Sequence, residues 1–293
     1  GVVLTNAASI RNQGLELTLN WRGRVSDDLT YRIGGNATLN RNSVIGLNGG
    51  QPILDGGIGA NQQYTTRTDN GHPVGSFYVL QVLGVFQNDG DISSYVNANG
   101  QRIQPAASPG DFKYQDTNGD GRIDDNDRVF VGSYQPKAYF GLNLGVTYRS
   151  FDFSVDLYGN VGNQVYNGKR AFRQNVLDNI EKSMAYSRWT SANGSQTEPA
   201  ANGGNLPPST YFVESGSFAR VNNATLGYAL PAALTKKVFI ESLRVFLTAQ
   251  NVLTLQKFSG FTAELPGNPT SQGIELNAYP TTQTLAVGLN ANF

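Results

Sequence analysis

The chain has no cysteine, one histidine, one methionine and few charges, with Asp, Glu, Lys and Arg making up 15% of its 293 residues. Without cysteine there is no disulfide framework, no thiolate zinc site and no thiol redox chemistry. A single histidine leaves nothing from which to build a histidine metal cluster or a nucleophile–histidine–acid triad. It lies in Gly-His72-Pro-Val-Gly-Ser-Phe-Tyr and reads as a loop residue. Lys+Arg and Asp+Glu balance at 22 each, so no net positive charge draws the chain to nucleic acid. No run of about 18 apolar residues is present, which excludes a transmembrane helix. Yet 39% hydrophobic residues is too many for a disordered chain. What is plentiful is glycine, 34 residues, and aromatic side chains, 11%. That profile suits a secreted β-sandwich or an outer-membrane β-barrel.

The dominant pattern is alternation with a period of two, the signature of a half-buried strand. In Gly14–Trp21, Leu15, Leu17, Leu19 and Trp21 oppose Glu16, Thr18 and Asn20. The same pattern covers Leu29–Asn40, Phe140–Tyr148, Phe151–Leu157 and Leu285–Phe293, with weaker copies at Ala224–Tyr228 and Leu243–Ala249. This predicts seven strands. Alternation alone does not separate a lipid-facing barrel from a soluble sandwich, because one face is apolar in both. Three features do. Short connections (Arg22–Asp28, Arg149–Ser150, Pro231–Ser242) alternate strictly with long ones at 41–138, 160–215 and 251–282. Outer-membrane barrels have short periplasmic turns and long external loops. Trp21, Tyr31, Tyr148, Phe151, Tyr228 and Phe293 lie at the short-turn ends and share the parity of the apolar face, as an interfacial aromatic girdle would. The chain also stops at Phe293 directly after an alternating strand.

With the short turns in the periplasm, the seven strands start outside and end inside. Bacterial single-chain barrels have even strand numbers, and lipid tolerates no open sheet edge. The expected fold class is therefore all-β: a transmembrane antiparallel β-barrel segment of about 7 membrane strands with long extracellular loops. The C-terminus is expected in the periplasm and the rest of the barrel upstream of Gly1. Ser76–Gln87 is apolar enough for a strand but would break the parity, so it is assigned to a folded external lid.

The second motif is Asp116-Thr-Asn-Gly-Asp-Gly-Arg-Ile-Asp-Asp-Asn-Asp127. It follows the calcium-loop grammar D-x-[DN]-x-[DN]-G with an acidic residue at the twelfth position. Asp116, Asn118 and Asp120 occupy positions one, three and five, and Gly121 allows the turn. Arg122 offers a backbone carbonyl, Asp124 takes position nine and Asp127 closes the loop. Calcium takes six to eight hard oxygens from a flexible loop, which this spacing supplies. Asp rather than Glu at the twelfth position shortens the closing reach, and the flanks look extended rather than helical. The expectation is a structural calcium site that cross-links a lid with little core of its own; the alternative is an Asx-rich surface turn without an ion. Asp152 and Asp156 share a polar strand face, where, with Arg32 and Arg244, they read as lumen-facing charges rather than a glycosidase pair. Lys169–Trp189 reads as the one helical stretch, and Asn193–Pro208 as irregular.

Several blocks together resemble SusC/RagA-type TonB-dependent outer-membrane transporters. They are Gly71-His-Pro-Val-Gly-Ser-Phe-Tyr78, Pro109 through Arg128, Gly141-Leu-Asn-Leu, Glu214 through Tyr228, Ser242-Leu-Arg-Val-Phe, and Gln250-Asn251 ahead of Phe258-Ser-Gly-Phe261. The resemblance covers only the C-terminal part of that family. It implies a barrel of about 22 strands with a plugged lumen. It also implies import of oligosaccharides or peptides, a SusD-like surface lipoprotein as partner, TonB acting through an N-terminal plug, and outer-membrane lipid around the barrel. The two other readings are a non-transporting scaffold in a surface complex and a secreted calcium-binding β-sandwich. No nucleophile–base pair suggests an enzyme.

Overall fold

Alternating side chains, many of them β-branched or aromatic, favour extended backbone. Each alternating stretch is a strand in the computed structural model, which describes residues 8–57, 63–174, 179–201 and 206–293. The strands are β1 (Ala8–Ser26), β2 (Leu29–Leu47), β3 (Ala138–Tyr148), β4 (Phe151–Val161), β5 (Phe218–Ala229), β6 (Ser242–Gln256) and β7 (Thr284–Asn292). They form one antiparallel sheet in chain order, with β1 and β7 as its edges among the described residues. Several strands run beyond the alternating stretches that announce them, because backbone pairing continues after the apolar face ends. Asp27–Asp28 and Arg149–Ser150 make the tight turns, Arg149 in the left-handed region at φ 54°. The third short connection holds a helical turn, Ala232–Thr235. The long loops leave from the other end.

Directly paired residues share a face, so the register defines two surfaces. Trp21, Ile33, Leu144, Val155, Ala224, Ala249 and Leu285 form one apolar row across all seven strands. This face is uncovered: Leu15, Leu17, Leu19 and Trp21 are each more than 60% exposed and Leu285 and Val287 are 75% exposed. A sandwich would bury such a face against a second sheet. The opposite face carries the row Arg22, Arg32, Gly145, Ser154, Thr225, Thr248 and Ala286. The aromatics at the short-turn end form a band rather than a line. Tyr148, Phe151 and Tyr228 share one register row, while Tyr31 and Trp21 lie one and two rows further in. The Trp21 indole N–H donates to the Tyr31 hydroxyl at 3.1 Å, and the Phe151 and Tyr228 rings lie 4.7 Å apart.

The core lies in the loops. Phe77, Val79, Tyr166 and Phe212 form one buried cluster, Leu80, Val85, Phe112 and Tyr114 a second, and Val165, Phe218, Phe258, Ala263 and Leu265 a third. The lid therefore does not lack a core. The sheet turns its apolar side chains outward, and the loops are long enough to bury their own. Ser76–Gln87 belongs to this layer. Its Ser76–Leu80 half joins a sheet with Ile53–Asp55, Thr66–Thr68 and Arg128–Ser133, and Val82–Val85 pairs with Phe112–Tyr114. The long helix read over Lys169–Trp189 is instead two short ones, Gly168–Phe172 and Lys182–Ser187; residues 175–178 between them lie outside the described residues. Residues 173–174 and 179–181 are not helical, and Lys169 and Arg173 both turn toward Glu181. Within Asn193–Pro208, residues 202–205 also lie outside the described residues. No helix among the described residues is long and apolar enough to cross a membrane.

Candidate functional site

The polar face of the sheet gathers its charges toward the short-turn end. Arg22 and Arg32 are direct cross-strand partners. Asp152 takes Arg244 in a two-pronged pair, with Nε at 2.8 Å and Nη2 at 2.5 Å. The Arg244 guanidinium lies 5.0 Å from the Phe246 ring. Phe246 belongs to this polar face, opposite Gly227 and Gly288, and a side chain at Gly288 would run into its ring. Nothing in the alternation marks an aromatic on the polar face; only the two glycines across from it hint at the space. Asp156 accepts from the Asn143 amide at 2.7 Å rather than joining Asp152. The two carboxylates thus have separate partners, as solvated wall charges do.

Above the sheet, the Asp116–Asp127 loop folds around its own carboxylates. Asp116 accepts the N–H groups of Gly119 (2.7 Å) and Gly121 (2.9 Å), which wraps the chain over position one. Asn118 accepts from the Asp120 N–H, and Asp120 from the Arg122 N–H. Asp127 is fully buried; its two oxygens accept from Thr117 (2.8 Å) and Asp124 (2.8 Å). The Asp124 side chain accepts from the Asn126 N–H at 2.8 Å and, in return, from the Asp127 N–H, which completes a capping box. The Arg122 guanidinium stands 3.2 Å from Asp120 and 3.3 Å from Asp124, so a cation already bridges those carboxylates. No cluster of three or more His, Cys, Asp or Glu converges on a metal position among the described residues. The turn at Gly121 (φ 86°) that the calcium-loop pattern calls for is formed.

The loop is tied to the lid by Arg128, whose side chain is 2% exposed. Its guanidinium donates to Asp125 (2.9 Å) and to the Tyr64 carbonyl (2.7 Å) and lies over the Tyr64 ring. A second anchor joins Arg170, Glu198 and Tyr211: the Arg170 guanidinium and the Tyr211 hydroxyl each donate to Glu198 at 2.5 Å. Burial pushes the Tyr211 hydroxyl above its ordinary titration range. His72 stacks on Phe130 at 3.6 Å in a loop, as read from sequence.

No family model matches the chain. It is 30% identical to a TonB-dependent receptor, P26, of Formosa agariphila, over 99% of this chain and 30% of that one. It is 28% identical to the TonB-dependent receptor SusC of Bacteroides thetaiotaomicron, over 98% of this chain and 27% of SusC. The chain therefore spans about three tenths of the length of the curated relatives it matches. In fold it is similar to the RagAB peptide transporter, with a TM-score of 0.76, 22% identity, and coverage of 97% of this chain and 29% of that one. These relatives are receptors and transporters, not enzymes. A receptor match along nearly the whole chain coincides with an open antiparallel sheet that is apolar on one face and charged on the other. Along nearly its whole length the chain is thus similar to about three tenths of TonB-dependent receptors, SusC among them, and it shares the fold of the corresponding part of RagAB.

Proposed function

We propose that the chain supplies wall strands and the external lid of a TonB-dependent importer of bulky nutrients, oligosaccharides or peptides. TonB-dependent receptors are outer-membrane proteins. The observation that carries the proposal is the unbroken apolar row across seven strands, uncovered on one face and backed by Arg22, Arg32, Asp152 and Arg244 on the other. Lipid takes the first face and a polar lumen the second. In this reading the short turns and the C-terminus are periplasmic and the loops 41–138, 160–215 and 251–282 extracellular. A plug and further strands complete the barrel, a SusD-like lipoprotein covers the loop layer, and TonB acts through the plug. The absence of cysteine from these 293 residues means that each introduced thiol is the one this stretch of chain offers. In intact cells, a membrane-impermeant maleimide labels Asn126→Cys at once and Asp27→Cys only after the outer membrane is permeabilised. Labelling of Asp27→Cys in intact cells overturns the orientation. Uptake of oligosaccharides or peptides that persists without TonB overturns the import reading.

Calcium at Asp116, Asn118, Asp120, Arg122, Asp124 and Asp127 is part of the same proposal. The wrapped turn around Asp116 supports it, with the ion displacing the Arg122 guanidinium from Asp120 and Asp124. Calorimetry with calcium on the native protein and on Asp116→Ala decides it; equal heats for the two remove the ion.

A further inference from the structure

Among the described residues, the apolar face of the sheet carries two charged side chains, and both are arginines at its long-loop end. Arg11 on β1 and Arg41 on β2 continue the parity of Leu15 and Leu39. The register puts every other Asp, Glu, Lys and Arg of the seven strands on the opposite face. Arg11 stands directly across from Ser43 and Arg41 directly across from Gln13, so the four residues form a square with the arginines on one diagonal. Diagonal neighbours on paired strands lie roughly 7–8 Å apart, within reach of one another for long side chains. Two like charges so placed repel, and no carboxylate of this face offsets them. Neither arginine has an ion pair among the described residues.

The position of the square says what offsets them. Gln13 and Arg41 follow Leu15 and Leu39, the last leucines of the apolar face at this end, by two residues on their strands. That is roughly 7 Å along the strand and ~5 Å along the normal at a tilt of ~40°. With lipid on the apolar face, this is headgroup depth, directly above the acyl chains. A further strand beside β1 would pair through its backbone edge and leave the outward side chains of β1 and β2 facing the same way. The surroundings are also short of acid. A cavity of about 580 Å³ is lined by Arg41, Ser43, His72 and Lys137, and by no Asp or Glu among the described residues. Phosphate matches this donor set. A guanidinium fork pairs with two phosphate oxygens at once, and the Gln13 amide and Ser43 hydroxyl are neutral donors beside it.

We propose that Arg11, Gln13, Arg41 and Ser43 form a binding patch for the phosphate of an anionic lipid in the external leaflet. This rests on the reading of the apolar face as lipid-facing and of the long loops as extracellular, and goes beyond it by naming a headgroup that the sheet selects. One lipid meets both surfaces: its acyl chains lie on Leu15, Leu17 and Leu39, and its phosphate accepts from the two guanidiniums. Val44, next to Ser43, is buried and its N–H donates to the His72 carbonyl, so the headgroup is held at the foot of the lid.

The test is native mass spectrometry of the intact protein in nonionic detergent, titrated with dioleoylphosphatidic acid and, as the same lipid without its phosphate, with dioleoylglycerol. The native protein retains phosphatidic acid in preference to dioleoylglycerol. Arg11→Gln and Arg41→Gln each weaken that retention roughly fivefold, the worth of one basic residue at an anionic membrane surface, and together roughly 25-fold. If the double variant does not assemble, Arg41→Gln alone decides. Lys236→Gln with Lys237→Gln removes the same charge at the short-turn end and leaves retention unchanged. The patch is overturned if the two lipids are retained alike, if the arginine variants retain phosphatidic acid as the native protein does, or if the lysine variant loses as much as they do. Displacement of the lipid by inorganic phosphate also overturns it, since the site would then serve the free ion. The face is scored separately through Leu19→Arg. A Leu19→Arg that costs no more stability than Thr18→Arg sinks the lipid-facing reading, whereas a costly Leu19→Arg with retention unmoved in the arginine variants sinks the patch alone.

Discussion

Replacing Leu19 by arginine separates a lipid-facing sheet from a water-facing one. The outward side of β1 runs Leu15, Leu17, Leu19, Trp21, Gly23 and Val25, with Arg11 and Gln13 beyond one end and Arg41 paired across from Gln13. From Leu15 to Val25 is ten residue steps, roughly 33 Å along the strand and ~25 Å along the normal at a tilt of ~40°, the height of a barrel's apolar band. Leu19 is 69% exposed and stands near the middle of that band. An arginine at the midplane costs about 2–4 kcal/mol, falling toward zero at the interfaces. In equilibrium terms that is roughly 30- to 1000-fold. Had the face been in water, exchanging one exposed side chain for another would stay within about 0.5 kcal/mol. Thr18→Arg is the control, one residue away and pointing to the polar face opposite Asn36. Urea titration of the intact protein folded into phosphatidylcholine vesicles, followed by tryptophan fluorescence, gives both values. A Leu19→Arg cost indistinguishable from that of Thr18→Arg would falsify the assignment of this face to lipid.

The remaining predictions concern the loop layer. Arg220, with a side chain 4% exposed, holds Glu264, the Tyr158 hydroxyl and Thr254 together. Because Glu264 is 39% exposed and its charge is partly screened, Arg220→Ala is expected to cost about 1–3 kcal/mol, below the full penalty for breaking a buried pair. It should speed amide exchange around Phe258–Leu265 while leaving β1–β2 protected. Gly110 lies at φ 93°, where an added Cβ would press on Ala200 and Trp189. Gly110→Ala should cost about 1–3 kcal/mol and open the lid to limited proteolysis. The Asp55 carboxyl titrates below the ordinary carboxylate range because the Thr270 hydroxyl donates to it at 2.5 Å, against partial desolvation, with the Gly56 N–H adding to the effect. Its folded-state pKa is the lower one, so its stabilisation is present above about pH 4 and is lost as pH falls through the folded value. Asp55→Asn should flatten lid stability, read by amide exchange, against pH below 4; an unchanged acid profile refutes the role.

The strands were legible because their signal is local. Leu15, Leu17 and Leu19 declare their face without reference to any other segment, and the register later sets that face against Ile33 and Leu144 without a slip. The Asx turns of the Asp116–Asp127 loop were legible for the same reason, since each side chain bonds backbone a few residues away. Arg128 was not legible. It looks like any loop arginine until Tyr64 and Asp125 enclose it.

Sequence alone determined the two-sided sheet, the alternation of short and long connections, and the shape of the acidic turn. All of these follow from backbone geometry and near neighbours in the chain. Tertiary structure alone decided that the buried core lies in the loops, that the expected long helix breaks, and that Phe246 fills the polar face. Such outcomes depend on contacts between distant segments: the Asp55–Thr270 hydrogen bond spans 215 residues and Arg128–Tyr64 spans 64. No window along the chain contains both partners of such a contact, so burial there is set only when the loops pack.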